Sequence, residues 1–168
     1  MKQVRNCVFE TNSSSTHSIS FVAQKNLEEN QMPIDDDGYI HAWFDEFGWE
    51  NCYYYAQSER LSYLLTMAMH LNDFYIWCGS EKEIQEDIEL FMETNDFKLI
   101  SDEIAQHANC KGIVLNHSEG YIDHQSREDY GCLDQFLYEV GTDIVGFVFG
   151  DTTIHTDNDN HYSWEDDY

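Results

Sequence analysis

Between residues 58 and 71 the apolar side chains Leu61, Leu64, Leu65, Ala68 and Leu71 recur at spacings of three and four. That is the signature of one helical face, and it predicts a buried helix of about fourteen residues. Ser80 followed by Glu83 has the capping-box spacing, and Ile84, Ile88 and Phe91 then mark the apolar side of a second helix. Its other side carries Glu81, Glu83, Glu86, Asp87, Glu89 and, just beyond, Glu93, so it reads as an acidic ribbon. Leu133, Phe136, Leu137 and Val140, stopped by Gly141, predict a third helix.

Strand patterns fill the remaining chain. Residues 3–10 and the polar–apolar alternation Ser18-Ile-Ser-Phe-Val22 read as two strands flanking a hydroxyl-rich loop at 11–16. Residues 25–37 read as a linker ending in Asp35-Asp36-Asp37, and a strand is expected over 38–44. Phe97–Ile100 reads as a short strand before a short helix beginning at Ser101, and Gly112–Leu115 reads as a buried strand. The apolar, β-branched run Ile144–Phe149 reads as the strongest strand of all. The sum is an α+β domain with a mostly antiparallel sheet and about three helices, spanning residues 1–156 and followed by an acidic segment at 157–168.

Composition makes this a folded chain with an unusual surface. At 168 residues, 42% hydrophobic, with eleven Tyr, ten Phe and four Trp, it has material for one packed core, unlike acidic chains that stay unfolded. Yet 33 Asp and Glu against eight Lys and Arg leave a net charge of −25. A domain of this size has a radius of gyration of roughly 15 Å, whereas ~25 charges correspond to roughly 40 Å of duplex DNA. The charge per length is DNA-like. Such a surface repels nucleic acid and attracts grooves lined with Lys and Arg. The competing reading, that acidity serves solubility or a high-salt cytoplasm, is countered by its local runs at 35–37, 81–93 and 157–167. The expected contact residues are Glu81, Glu83, Glu86, Asp87, Glu89 and Glu93, with Asp157, Asp159, Glu165, Asp166 and Asp167 from the last segment. A second contact candidate is the aromatic cluster Trp43, Phe44, Phe47, Trp49 and Tyr53–Tyr55, set beside Asp45, Glu46 and Glu50; about half of it is expected in the core.

The polar stretch after Met1 lacks a signal peptide's apolar run, and no segment approaches ~18 consecutive apolar residues. A cytoplasmic protein without a membrane partner is expected. Five cysteines, an odd number, favour thiols or a metal over a disulfide framework. His107 and Cys110 are three apart at an expected helix end, and Cys78, His124, His17 and Cys7 complete a candidate set for structural Zn2+, although no CxxC pair is present. Ser13 to His17 brings hydroxyls and an imidazole together, and Asp123-His124 pairs a base with a carboxylate. Serine-rich turns more often satisfy their own backbone, so a hydrolase or transferase is the weaker alternative.

Two motifs, FETNSSSTHS at 9–18 and GYIDHQS at 120–126, resemble a family of small proteins encoded by phages and mobile elements of Gram-positive bacteria. By its acidity the chain also resembles the type II anti-CRISPR inhibitors. That resemblance implies a non-enzymatic protein in the host bacterial cytoplasm. Its carboxylates would compete with phosphates for the basic channels of a type II RNA-guided nuclease, blocking guide or target engagement. It also implies zinc in some members. A structural phage protein with incidental acidity is the other alternative.

Overall fold

The computed structural model describes residues 17–23, 32–48, 52–74, 80–116, 120–122 and 130–158. The predicted strand at 3–10 and the loop at 11–16 lie outside them.

The helix anticipated from residue 58 is α1, Gln57–Leu71. The Glu59 carboxylate starts it by accepting the backbone N–H groups of Tyr55 and Ala56 at 3.0 and 2.8 Å. Every residue from Arg60 to His70 is buried. The polar positions that give α1 an amphipathic look in the sequence therefore need internal partners. Ser62 Oγ donates to the Trp43 carbonyl at 2.6 Å and Thr66 Oγ1 to the Ser62 carbonyl at 2.8 Å. α1 is the axis of the domain, packed against α3, α4, α5, β2 and β6.

Around it run α2 (Glu81–Met92), α3 (Asn95–Ala108), α4 (Leu133–Val140) and α5 (Ile144–Phe149). Five helices thus stand among the described residues where about three were expected, and the two expected strands that turn out helical have local causes. Phe97–Ile100, read as a strand, belongs to α3. Thr94 Oγ1 caps that helix by accepting the Phe97 N–H at 3.2 Å, and the buried Phe97, Ile100 and Ile104 keep helical spacing across both halves. Ile144–Phe149, read as the strongest strand, is α5. Asp143 Oδ1 accepts the Gly146 N–H at 2.6 Å, and Ile144, Phe147 and Val148 turn inward together. An N-cap and an i, i+3, i+4 contact with the core override β propensity.

The α+β class is observed. Strands β1 (His17–Ala23), β4 (Cys52–Tyr54) and β7 (Thr152–Asn158) form an antiparallel sheet in the order β1-β7-β4. Its register runs from His17 opposite Asn158 to Ala23 opposite Thr152. Two parallel pairs complete the strands: β2 (Ile40–Trp43) with β5 (Ile113–Asn116), and β3 (Glu46–Phe47) with β6 (Tyr121–Ile122). Central strand β7 is nearly all polar, with Thr153 and Thr156 buried beside Ile154.

The Tyr63 ring on α1 is the hub of the core. Its centroid lies 4.9 Å from Phe47, 5.7 Å from Phe21, 6.1 Å from Phe147 and 6.2 Å from Phe136. Edge and tilted packing of this kind contributes about 0.5–1.5 kcal/mol per pair beyond area burial. These five rings join α1, α4, α5, β1 and β3.

Candidate protein-interaction surface

α2 follows Ser80, whose N–H and hydroxyl both donate to Glu83 Oε2 at 2.8 Å while Ser80 Oγ accepts the Glu83 N–H at 3.4 Å. These bonds, the backbone one foremost, hold the Glu83 carboxyl below the usual glutamate range. Ile84, Ile88 and Phe91 anchor the helix to the core, leaving every other position but the half-buried Asp87 exposed. From Ser80 to Ala108 the chain carries nine carboxylates and two lysines. Seven of the nine are exposed, and Asp87 and Asp96 are half-buried.

Both lysines are engaged locally. Lys82 Nζ lies 2.8 Å from Glu86 Oε1, and Lys98 Nζ lies 2.9 Å from Glu93 Oε2. Exposed pairs contribute little energy, but they leave the surplus negative charge of α2 and α3 uncompensated nearby. Glu86, Glu89, Leu90 and Glu93 are spaced i, i+3, i+4, i+7 and so share one stripe, turned away from the buried one. An open groove of about 630 Å3 runs here, lined among the described residues by Glu86, Glu89, Leu90, Met92 and Glu93.

The sequence-predicted contact residues 81–93 thus fall on one element, with different occupations. Glu83 is a cap, Glu86 and Glu93 face lysines, and Glu89 accepts the Gln85 side-chain amide at 3.0 Å. Asp157 is elsewhere, half-buried in β7 opposite Ser18. Asp159, Glu165, Asp166 and Asp167 lie outside the described residues. The aromatic cluster divides: Phe44 and Phe47 are core, Trp43, Tyr53 and Tyr55 are exposed, and Tyr54 is half-buried. Burial, with the neighbouring Cys52, pushes the Tyr54 hydroxyl up to about 12. Tyr53 stacks on His155, with ring centroids 4.1 Å apart.

Of the proposed zinc ligands, His107 packs its ring 4.3 Å from Phe149, and Cys110 Sγ donates to the Gly112 carbonyl at 3.6 Å. No group of three His, Cys, Asp or Glu among the described residues could hold a metal ion. Cys7, Cys78 and His124 lie outside the described residues; His17 enters as the first residue of β1, through its backbone alone. Ser13 to Thr16 and Asp123-His124 are outside as well.

Two polar constructions escape sequence reasoning. Asp35 Oδ1 accepts the Tyr39 N–H at 2.8 Å, and its Oδ2 meets His41 Nε2 at 2.8 Å. These contacts depress the Asp35 carboxyl, the Tyr39 bond most of all. The Asn116 amide Nδ2 sits 3.2 Å from His41 Nδ1. A proton on Nε2 satisfies both contacts, so the imidazole ties the Gly38 turn, β2 and β5 together with both ring nitrogens occupied. Arg60 is the other: at 3% exposure on α1, its Nη1 donates to the carbonyls of Gly150 and Thr152, each at 2.6 Å. The spacing from Asp35 to His41 across a glycine turn is a weak local hint of the first. Nothing local signals the second, whose partners lie about ninety residues away.

Among the described residues no helix is long and apolar enough to cross a membrane. Comparison with protein-family models, curated proteins and solved structures gives no match.

Proposed function

We propose that this chain is a non-enzymatic binding protein that presents a rigid acidic surface to a basic, nucleic-acid-binding protein and competes there with phosphate. The observation that carries this reading is the α2–α3 unit, where nine carboxylates face two lysines, both of them already paired, on helices pinned to the core. Fixed carboxylates spaced by helical geometry meet a Lys- and Arg-lined groove without the ordering entropy a flexible acidic tail would lose. The resemblance to type II anti-CRISPR proteins makes a type II RNA-guided nuclease of the bacterial host the first partner to test.

The experiment is affinity capture of the nuclease together with target-binding and cleavage assays at two salt concentrations. Binding and inhibition at low salt that weaken at high salt support the reading, since counterion screening acts on exposed charge. No binding at low salt removes this partner. A structural zinc, the other part of the expectation, is settled by elemental analysis of protein purified without chelator. About one zinc per chain supports a site completed outside the described residues, and a content near zero rejects it.

A further inference from the structure

Register makes Tyr53 of β4 the cross-strand neighbour of His155 on β7. One step along, Tyr54 opposes the fully buried Ile154, so strand alternation turns Tyr53 and His155 to the outer side of the sheet. There the two rings stack, with centroids 4.1 Å apart and planes 13° from parallel. That separation is close to the roughly 4.8 Å between neighbouring strands, so the rings stand upright on the sheet in a column that runs from strand to strand. His155 covers one face of the Tyr53 ring. Among the described residues Tyr53 has no other ring contact and β4 is the last strand of its sheet on that side, yet Tyr53 is 53% exposed. The second face of the ring therefore looks outward past β4. Tyr55, two residues on, is exposed as well, with the Glu59 carboxylate beside it accepting its N–H at 3.0 Å.

We propose that the open face of Tyr53 receives an arginine guanidinium from an extended segment of the partner running alongside β4, so that the column reads His155, Tyr53, arginine. The occupant follows from charge and shape. With 33 acidic against eight basic residues the chain attracts cations and repels nucleic acid, whose bases would otherwise be the natural guests of an exposed tyrosine ring. Of the two protein cations, guanidinium is planar and weakly hydrated and lies flat on an aromatic ring, whereas an ammonium is a compact, strongly hydrated charge. A segment extended at strand spacing from β4 presents the side chain opposite Tyr53 at the period the column already has. An exposed cross-strand pair can also serve the sheet alone, and that role has no preference for one cation over another. This inference rests on the reading of the chain as a binder of basic proteins, and adds a contact outside α2 and α3 that selects arginine over lysine.

The test uses the full chain and its Tyr53→Leu and Tyr53→Phe variants, with circular dichroism to verify that both stay folded. Each is titrated with one extended peptide in three forms, in which threonine alternates with arginine, with lysine or with citrulline, the last keeping the planar shape without the charge. Binding of the RNA-guided nuclease is measured separately. The expected result is that Tyr53→Leu weakens the arginine peptide about fivefold and hardly changes the lysine peptide, while Tyr53→Phe stays within about twofold of wild type. The citrulline peptide should bind weakly to all three proteins. Equal losses for the arginine and lysine peptides in Tyr53→Leu, no loss for either, or no binding of the arginine peptide by the wild type overturns the inference. If the arginine peptide is bound through Tyr53 but the nuclease is not bound, the inference stands and the choice of partner falls. If the nuclease is bound and the arginine peptide shows no dependence on Tyr53, the proposed function stands and the inference falls.

Discussion

Replacing Arg60 with Met isolates what one buried cation does in a domain of net charge −25. The side chain is 3% exposed and supplies two charge-assisted hydrogen bonds, to the carbonyl that closes α5 and to the first residue of β7. Such bonds are worth about 1.5–3 kcal/mol each, or about 3–6 kcal/mol together. Opposing them is the cost of taking a guanidinium out of water. That cost is visible in the lowered basicity of Arg60, for which burial is the leading cause and which Asp151 and Glu59 only partly offset. Nε also has no hydrogen-bond partner among the described residues. Met recovers some of this cost, but it takes the donor away from the half-buried Gly150 and Thr152 carbonyls, unlike an ion pair replaced on both sides. The net expectation is a loss of ~2 kcal/mol for Arg60→Met, and ~4 kcal/mol for Arg60→Ala once the unfilled volume is added. Urea unfolding followed by far-UV circular dichroism measures both. The measurement belongs at low and at high salt, because the substitution also raises the net charge to one unit more negative, a contribution that salt screens and orphaned carbonyls do not share. A variant as stable as wild type at high salt would refute the reasoning, since desolvation relief would then equal or exceed the hydrogen bonds.

Three further outcomes follow from local geometry. Glu83→Gln should lose the acid-side pH dependence of α2: the wild-type carboxyl sits below its ordinary value of 4.5, so its stabilisation is present above that value and fades as pH falls through the depressed one. Amide exchange in α2 across that window would show it, and an unchanged profile in the variant would exclude the cap as its source. Tyr54→Phe should flatten an alkaline loss of stability. The unfolded hydroxyl titrates near 10.0 and the folded one at about 12, so the unfolded chain releases its proton first and stability falls with rising pH between them. Thermal melts above pH 10.0 decide this, and parallel wild-type and variant curves count against it. Asp143→Ala removes the α5 cap and should cost about 1 kcal/mol in chemical denaturation; no loss would mean that packing alone holds α5 helical.

The sequence was most legible where one periodicity covered a whole element. α1, α2 and α4 are at their expected places, as are β1, β2 and β5, because apolar spacing and cap residues act over one or two turns. It misled where local preference and tertiary demand diverged. The β-branched run Ile144–Phe149 is helical because Asp143 caps it and α1 receives its inward side. Thr152–Asn158 is a central strand although its side chains are nearly all polar, because β1 and β4 flank it and supply its backbone hydrogen bonds. Of the site, the acidic ribbon on α2 was readable residue by residue, since helical spacing alone assigns Glu86, Glu89 and Glu93 to one side.

By itself, then, the sequence determined a folded α+β domain whose surface is overwhelmingly negative and whose second helix turns a carboxylate stripe to solvent. These properties depend on composition and on short-range periodicity, which the chain carries wherever it goes. The tertiary structure decided which charges are spoken for and which apolar groups are left over. It made Glu83 a cap, placed Arg60 inside, sent Phe44 and Phe47 into the core and left Leu90 and Met92 in the groove. Those assignments depend on neighbours distant along the chain, and they exist only once the core around Tyr63 has closed.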